Sequence, residues 1–233
     1  MDMNERLNVY NSEIQRGGKF YEKFNCFYEL LKEYNAKYNL TSIIEEEDVF
    51  YKHFLDSAAG EFLFPQGARV LEVGSGAGFP SMVLKILRED LSFTLVESVG
   101  KKSEFLRVVA EKLGFLNVEV KNERAEVLAH DLGYREKYDV VCARAVARMN
   151  TLSEYCLPFV KKGGIFVAYK SGDGEELEES KRAIGVLGGK IQENTVYELP
   201  KNFGKRSLIV VKKERYTPAQ YPRGNGKERK KPL

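Results

Sequence analysis

Between Arg69 and Ser81 the chain reads RVLEVGSGAGFPS, so that Gly74, Gly76 and Gly78, spaced two apart, follow directly on Val70, Leu71 and Val73. Glycine takes positive φ without steric cost and lets a ligand approach the backbone where a side chain would collide. Pro80 suits the first turn of a helix, and Met82, Val83, Leu84, Ile86 and Leu87 give that helix an apolar face. The stretch is expected to be a buried strand, a tight turn and a helix start, which puts a nucleotide-type crevice at the carboxyl end of the strand. A dinucleotide fingerprint would need G-x-G-x-x-G; here the third residue after Gly76 is Phe79, and the third glycine arrives early.

Other charged positions fall where further strands end. Phe93 to Val96 reads as a second strand, followed by Glu97, about 20 residues beyond the glycines, where a carboxylate can accept hydrogen bonds from both hydroxyls of an adenosine ribose. Its competing role is an ion pair with Lys101 or Lys102. Arg124, Ala125 and Glu126 follow the third strand, Val118 to Val120. Arg144 and Arg148 follow the fourth, Tyr138 to Cys142, and Lys170 follows the fifth, Gly164 to Tyr169. His53, Asp56 and Ser57 in HFLDS lie within one turn of an expected helix, but without a nucleophile elbow they do not make a hydrolase triad. They read as a capping or exposed histidine, or as a wall of the ligand site.

The elements that must hold these groups are legible from periodicity. Phe20, Phe24, Phe27, Tyr28, Leu31 and Tyr34 mark one face of a helix over residues 19–38, and Ser42 with Glu45 offers a capping box for a second helix through Ala58. Glu104 to Gly114 has the helix period, and residues 175–187 form an acidic amphipathic helix closed by Gly188 and Gly189. The segments around Val196 and Leu208 to Val211 suit a terminal antiparallel hairpin. Alternating strands and helices predict one α/β fold with a mostly parallel sheet. The expected division is a helical extension over 1–64, a ligand-binding domain over 65–215 and a basic tail over 216–233.

Composition is that of a globular protein, 43% hydrophobic and 30% charged. No run approaches the roughly 18 apolar residues of a membrane span, and MDMNERLNVYNSE lacks a signal-peptide pattern, so no membrane contact and a cytoplasmic location are expected. Cys26, Cys142 and Cys156 show neither disulfide nor metal-ligand spacing. The net charge of +3 is uneven: from Lys201 onward eleven Lys and Arg face two Glu, a net of +9 that leaves −6 for residues 1–200. That asymmetry favours a polyanionic partner. The tail is expected to be disordered until it meets one, its cations neutralising phosphates and Tyr216 and Tyr221 stacking on unpaired bases.

Together VLEVGSGAGFPS, LVES with the following KK and FL, ERAE, ARAVA, the lysine after GGIFVAY, KRSLIVVKK and the ending YPRGNGKERKKPL resemble the RsmG (GidB) family of small-subunit ribosomal RNA guanine-N7 methyltransferases. The resemblance runs from YNLTSI, near residue 38, to the end of the chain. It implies a Rossmann-like methyltransferase fold with a seven-stranded sheet, S-adenosylmethionine (SAM) as methyl donor with S-adenosylhomocysteine as product, and N7 of a guanine in the 530 loop of 16S rRNA, nucleotide 527, as acceptor. The partner would be 16S rRNA or the small ribosomal subunit, and a monomer is expected. Carried over, the cofactor contacts are Gly74, Phe79, Ala125, Glu126 and Arg144, to which the physical reading adds Gly76, Gly78 and Glu97. Arg124, Arg144, Lys170 and Arg206 are expected to form a positive rim for the SAM carboxylate and the rRNA backbone, with Arg144, Arg124 and Arg206 as the catalytic candidates. Arg148, Lys170, Arg206 and Arg223 are the candidate RNA contacts. Ser81 and Glu72 depart from the family's usual glycine and aspartate. A SAM-dependent enzyme for another RNA or a small molecule, and a noncatalytic RNA-binding protein, are the competing readings.

Overall fold

A computed structural model describes residues 1–174 and 176–233. Its strands are β1 (Arg69–Val73), β2 (Ser92–Val96), β3 (Val118–Lys121), β4 (Tyr138–Arg144), β5 (Val160–Ser171), β6 (Gly189–Glu198) and β7 (Lys205–Lys213), in the order β3-β2-β1-β4-β5-β7-β6. β1 to β5 pair in parallel, and β7 runs antiparallel between β5 and β6. The mixed α/β architecture and the terminal hairpin are those read from the sequence. β4 and β5 run longer than expected, which carries Arg144 and Lys170 into strands rather than loops.

Successive side chains of each central strand enter two different cores, as a sheet covered on both faces requires. Val70, Val140 and Val167 point into the first, Leu71, Val141 and Phe166 into the second. The first is covered by α1 (Met3–Ile14), α2 (Tyr21–Tyr38), α3 (Glu46–Val49), α4 (Asp56–Ala58), α5 (Ser81–Leu87) and α6 (Gly100–Lys112). The second lies under α7 (Ala125–Leu128), α8 (Met149–Cys156) and α9 (Leu177–Val186). Glu175, the first residue of the expected acidic helix, lies outside the described residues.

In the N-terminal layer, α2 buries Phe24, Phe27 and Leu31 as the stripe predicts. The preceding α1 was not foreseen; Asp2 and Glu5 cap it reciprocally, each bond 2.8 Å long. The capping box expected of Ser42 and Glu45 does not form. Glu45 itself caps α3 without a side-chain bond, and Thr41 turns the chain instead, its Oγ1 accepting from the Ile43 N–H at 3.1 Å. Beyond α3, Phe50–Leu55 winds as a π-helix, a form frequent at functional sites.

The C-terminal segment also departs from expectation, because it is docked on the second face rather than extended. The Arg135 guanidinium donates to the carbonyls of Thr217 and Tyr221, both at 2.9 Å, and Arg223 makes a two-pronged ion pair with the fully buried Glu154. Thr151 Oγ1 donates to the Glu228 carbonyl at 2.8 Å, fixing the short α10 (Lys227–Lys230) against α8. Buried carboxylates and freed carbonyls need partners, and this segment supplies them.

Candidate active site

All the candidate groups but Arg223 lie along one edge of the sheet, where β1 to β5 end. β7 joins them by its beginning, because it runs antiparallel: Ser171 pairs with Arg206, and Tyr197 of β6 pairs with Arg206 from the other side. The loop after β4 divides this edge into two lobes, and Ala145 in it takes φ +55°.

The first lobe is built around the glycine turn. Gly74, Gly76 and Gly78 take φ of +70°, +54° and +91°, as read from their spacing, but each serves a different need. A Cβ on Gly74 would come within 2.7 Å of Val146 Cγ2, and one on Gly78 within 2.7 Å of Met82 Cγ, so both are packing positions. Gly76 faces open space, its nearest neighbour being a backbone oxygen at 3.8 Å. Its N–H donates to Glu97 Oε2 at 2.9 Å, while Oε1 of the same carboxylate accepts from the Val99 N–H at 2.8 Å. Glu97 thus braces the turn with one lone pair of each oxygen and makes no ion pair with Lys101 or Lys102. Across the lobe lie Ala125 and Glu126, with Val73, Val96 and Val146 as apolar walls. Arg124 lines its mouth, 66% exposed, paired with Glu126 at 2.7 Å.

The second lobe is a cavity of about 390 Å³ lined from six separate stretches: Ile43; Lys52, His53 and Asp56; Arg144 and Ala145; Tyr169, Lys170 and Ser171; Glu176; and Arg206. Arg144 is held by three acceptors from the π-helical turn and the start of α4. Its Nη1 donates to the Lys52 carbonyl at 2.8 Å and to Asp56 Oδ2 at 3.1 Å, and its Nη2 lies 2.7 Å from His53 Nδ1. Guanidinium has only donors, so the shorter of the two Nδ1 contacts is made with Nδ1 as acceptor and the imidazole proton on Nε2, 3.3 Å from Thr41 Oγ1, while the Lys52 carbonyl, 3.2 Å from Nδ1, takes its proton from Arg144. Burial, reinforced by the neighbouring Arg144 charge, lowers the His53 pKa to about 3 and keeps the ring neutral. Asp56 is the hub: Oδ1 accepts from the Tyr197 hydroxyl at 2.7 Å, and Oδ2 also faces Arg206 Nε at 3.7 Å. Lys170 pairs with Glu176 at 2.5 Å and donates to the Ala147 carbonyl at 2.9 Å.

Phe79, carried over as a cofactor contact, is buried behind this cavity, stacked on His53 at 4.3 Å with the Arg144 guanidinium 5.2 Å from its ring centre. Arg148 is 67% exposed and pairs with Glu179 at 2.7 Å on the surface. Arg223 is corrected: its guanidinium anchors the C-terminal segment on Glu154 and is not presented to a phosphate. Glu72, beneath the turn, is fully buried with neither oxygen hydrogen-bonded, and burial pushes its pKa up to about 8 against the pull of the nearby Ser81 hydroxyl. Asp56 and Tyr197 were missed as organisers. HFLDS had marked the place, but nothing local says that a tyrosine 141 residues later reaches Asp56.

A family model described as rRNA small subunit methyltransferase G matches residues 20–207. Proteins named ribosomal RNA small subunit methyltransferase G from Staphylococcus aureus strains are 48–49% identical over 98% of this chain and 96% of their own. Among solved structures, a SAM-dependent methyltransferase from Aquifex aeolicus superposes with a TM-score of 0.55 at 16% identity, over 74% of this chain and 96% of that one. TYW2 of M. jannaschii, solved in complex with AdoMet, gives 0.50 at 14% identity, over 67% and 72%. The fold is that of SAM-dependent methyltransferases, and the chain belongs to the rRNA small subunit methyltransferase G family.

Proposed function

We propose that this SAM-dependent methyltransferase modifies N7 of a guanine in the 530 loop of 16S rRNA, with the cofactor in the first lobe and the acceptor base in the second. One observation carries the choice of nucleophile: each group in the acceptor cavity that could take a proton is held against a cation, which disfavours its protonation. Asp56 accepts from Tyr197 and Arg144, His53 Nδ1 accepts from Arg144, and Glu176 is paired with Lys170. Guanine N7 carries an in-plane lone pair and no proton, so its attack needs no base. An exocyclic amine would need one, and a cytosine-C5 acceptor would need a thiolate. Cys142 is wholly buried in β4, and burial raises its pKa well above the ordinary thiol value.

The first lobe fits the cofactor. Gly76 leaves open backbone, the Glu97 oxygens retain lone pairs for ribose hydroxyls, and the valine walls suit a purine. When bound, SAM supplies an electrophilic methyl on its sulfonium. The protein's work is then positioning, which contributes up to roughly 7–11 kcal/mol in favourable cases. Arg144 and Arg206, both facing Oδ2 of Asp56, and Lys170 make the cavity cationic, which suits the phosphates and O6 of a guanine nucleotide. Arg124 and Arg148, at the surface, add to the field that draws RNA in. The enzyme acts on this substrate in the cytoplasm.

Mass-spectrometric mapping of 16S rRNA incubated with the protein and SAM tests this reading. The expected product is a single 7-methylguanosine in the 530 loop, lost with Arg144→Ala. Methylation elsewhere, or undiminished methylation by Arg144→Ala, overturns it.

A further inference from the structure

The docked C-terminal segment does more than satisfy carboxylates. Its path over α8 is pinned by Arg135, by Arg223 on Glu154 and by Thr151 on the Glu228 carbonyl, and it brings Arg229 to the first lobe, where it lines the same cleft as Gly74, Ala125, Glu126 and Tyr155. Arg229 comes from the far end of the chain, while the rest of that cleft comes from strand ends and from α8. The side chain is exposed, and among the described residues it lies within ion-pair distance of no carboxylate, whereas Arg124 at the same mouth is tied to Glu126.

A guanidinium within reach of the Tyr155 hydroxyl but tied to no carboxylate, beside valine-lined walls, has a specific use. Its plane can lie against the face of a purine, and its donors match ring nitrogens, neither of which a Lys ammonium reproduces. We propose that the C-terminal segment is the outer wall of the cofactor cleft and that Arg229 holds the adenosine end of SAM and of S-adenosylhomocysteine. This rests on the assignment of the first lobe to the cofactor. The positive tail is therefore a part of the methyl-donor site before it is a handle for RNA.

Calorimetric titration of S-adenosylhomocysteine into the full-length protein tests the proposal without reference to turnover. Arg229→Ala is expected to weaken binding about tenfold, with little recovery in Arg229→Lys and an unchanged unfolding midpoint in the absence of ligand. The amides of residues 217–231 should also gain protection from hydrogen exchange when S-adenosylhomocysteine binds. Wild-type affinity in Arg229→Ala, whether or not RNA binding falls, overturns the proposal. Glu97→Gln separates it from the reading beneath: if that variant binds as tightly as wild type, the assignment of the lobe itself fails. If Glu97→Gln binds weakly and Arg229→Ala normally, only the role of the tail fails.

Discussion

The two lobes of the site are made by different means. The first lobe is mostly backbone: three positive-φ glycines, N–H groups braced by Glu97, and valine walls, all but Tyr155, Arg229 and the first residues of α7 drawn from strands β1 to β4 and the loops that follow them. The second lobe is made mostly of charged side chains from stretches as far apart as Lys52 and Arg206, two of which, Arg144 and Arg206, share the buried carboxylate of Asp56. Backbone geometry tolerates drift in the surrounding sequence, whereas a buried charge cluster holds only while every partner is present. The first lobe should therefore fail gradually under mutation and the second abruptly.

Replacing Asp56 with Ala is the sharpest way to break that contrast. It strands Arg144 and Arg206 beside a neutral gap, and breaking a buried pair in this way costs about 3–5 kcal/mol. RNA methylation should fall by about 100-fold, the effect of misplacing a positioned group, while S-adenosylhomocysteine affinity falls far less. Equal losses of both would show that the lobes are one unit. Calorimetry and a methyl-transfer assay on the same preparation decide it.

Glu72 lies below the junction of the lobes and sets the response to pH. Its folded pKa of about 8 exceeds the ordinary 4.5, so the folded state binds more protons between these values, and stability falls as pH rises through them. By pH 7 this penalty amounts to roughly 3 kcal/mol, and Glu72→Gln should remove most of it and flatten the slope in thermal unfolding scans. His53 acts in the opposite sense at acid pH. Its folded pKa of about 3 lies below 6.5, so the unfolded state binds more protons there, and stability falls as pH drops from 6.5 toward 3. A stability maximum near pH 5–6 is the combined expectation.

Smaller effects separate the glycines. Gly76→Ala strains φ by about 1–2 kcal/mol and intrudes on the open face, so binding should weaken more than stability. Gly78→Ala forces Cβ against Met82 and should weaken stability more than binding. If the two variants respond alike in calorimetry and urea unfolding, the division of roles among the glycines is wrong. Smallest of all, Tyr197→Phe removes one bond to Asp56, worth about 1 kcal/mol, and should slow methylation a few-fold without changing cofactor affinity.

How much of this was legible in the sequence follows the same division. The glycine turn, Glu97 at the next strand end, the parallel sheet and the terminal hairpin follow from spacing and periodicity, which act within about 20 residues. The disordered tail did not hold, because composition reports its charge but not the buried Glu154 waiting to be paired. The Ser42–Glu45 capping box failed for a related reason: Thr41 is tied to His53 and Ile43, and helix α3 starts later.

By itself, the sequence determined that a glycine turn would sit at a strand's end with an acid beside it, since φ preference and hydrophobic period are properties of short stretches. Tertiary structure alone decided that Arg206 would face Asp56, that Tyr197 would brace it and that Arg229 would reach the first lobe. Each depends on which strand reverses direction and on where buried charge is neutralised, and those are settled only when distant segments pack.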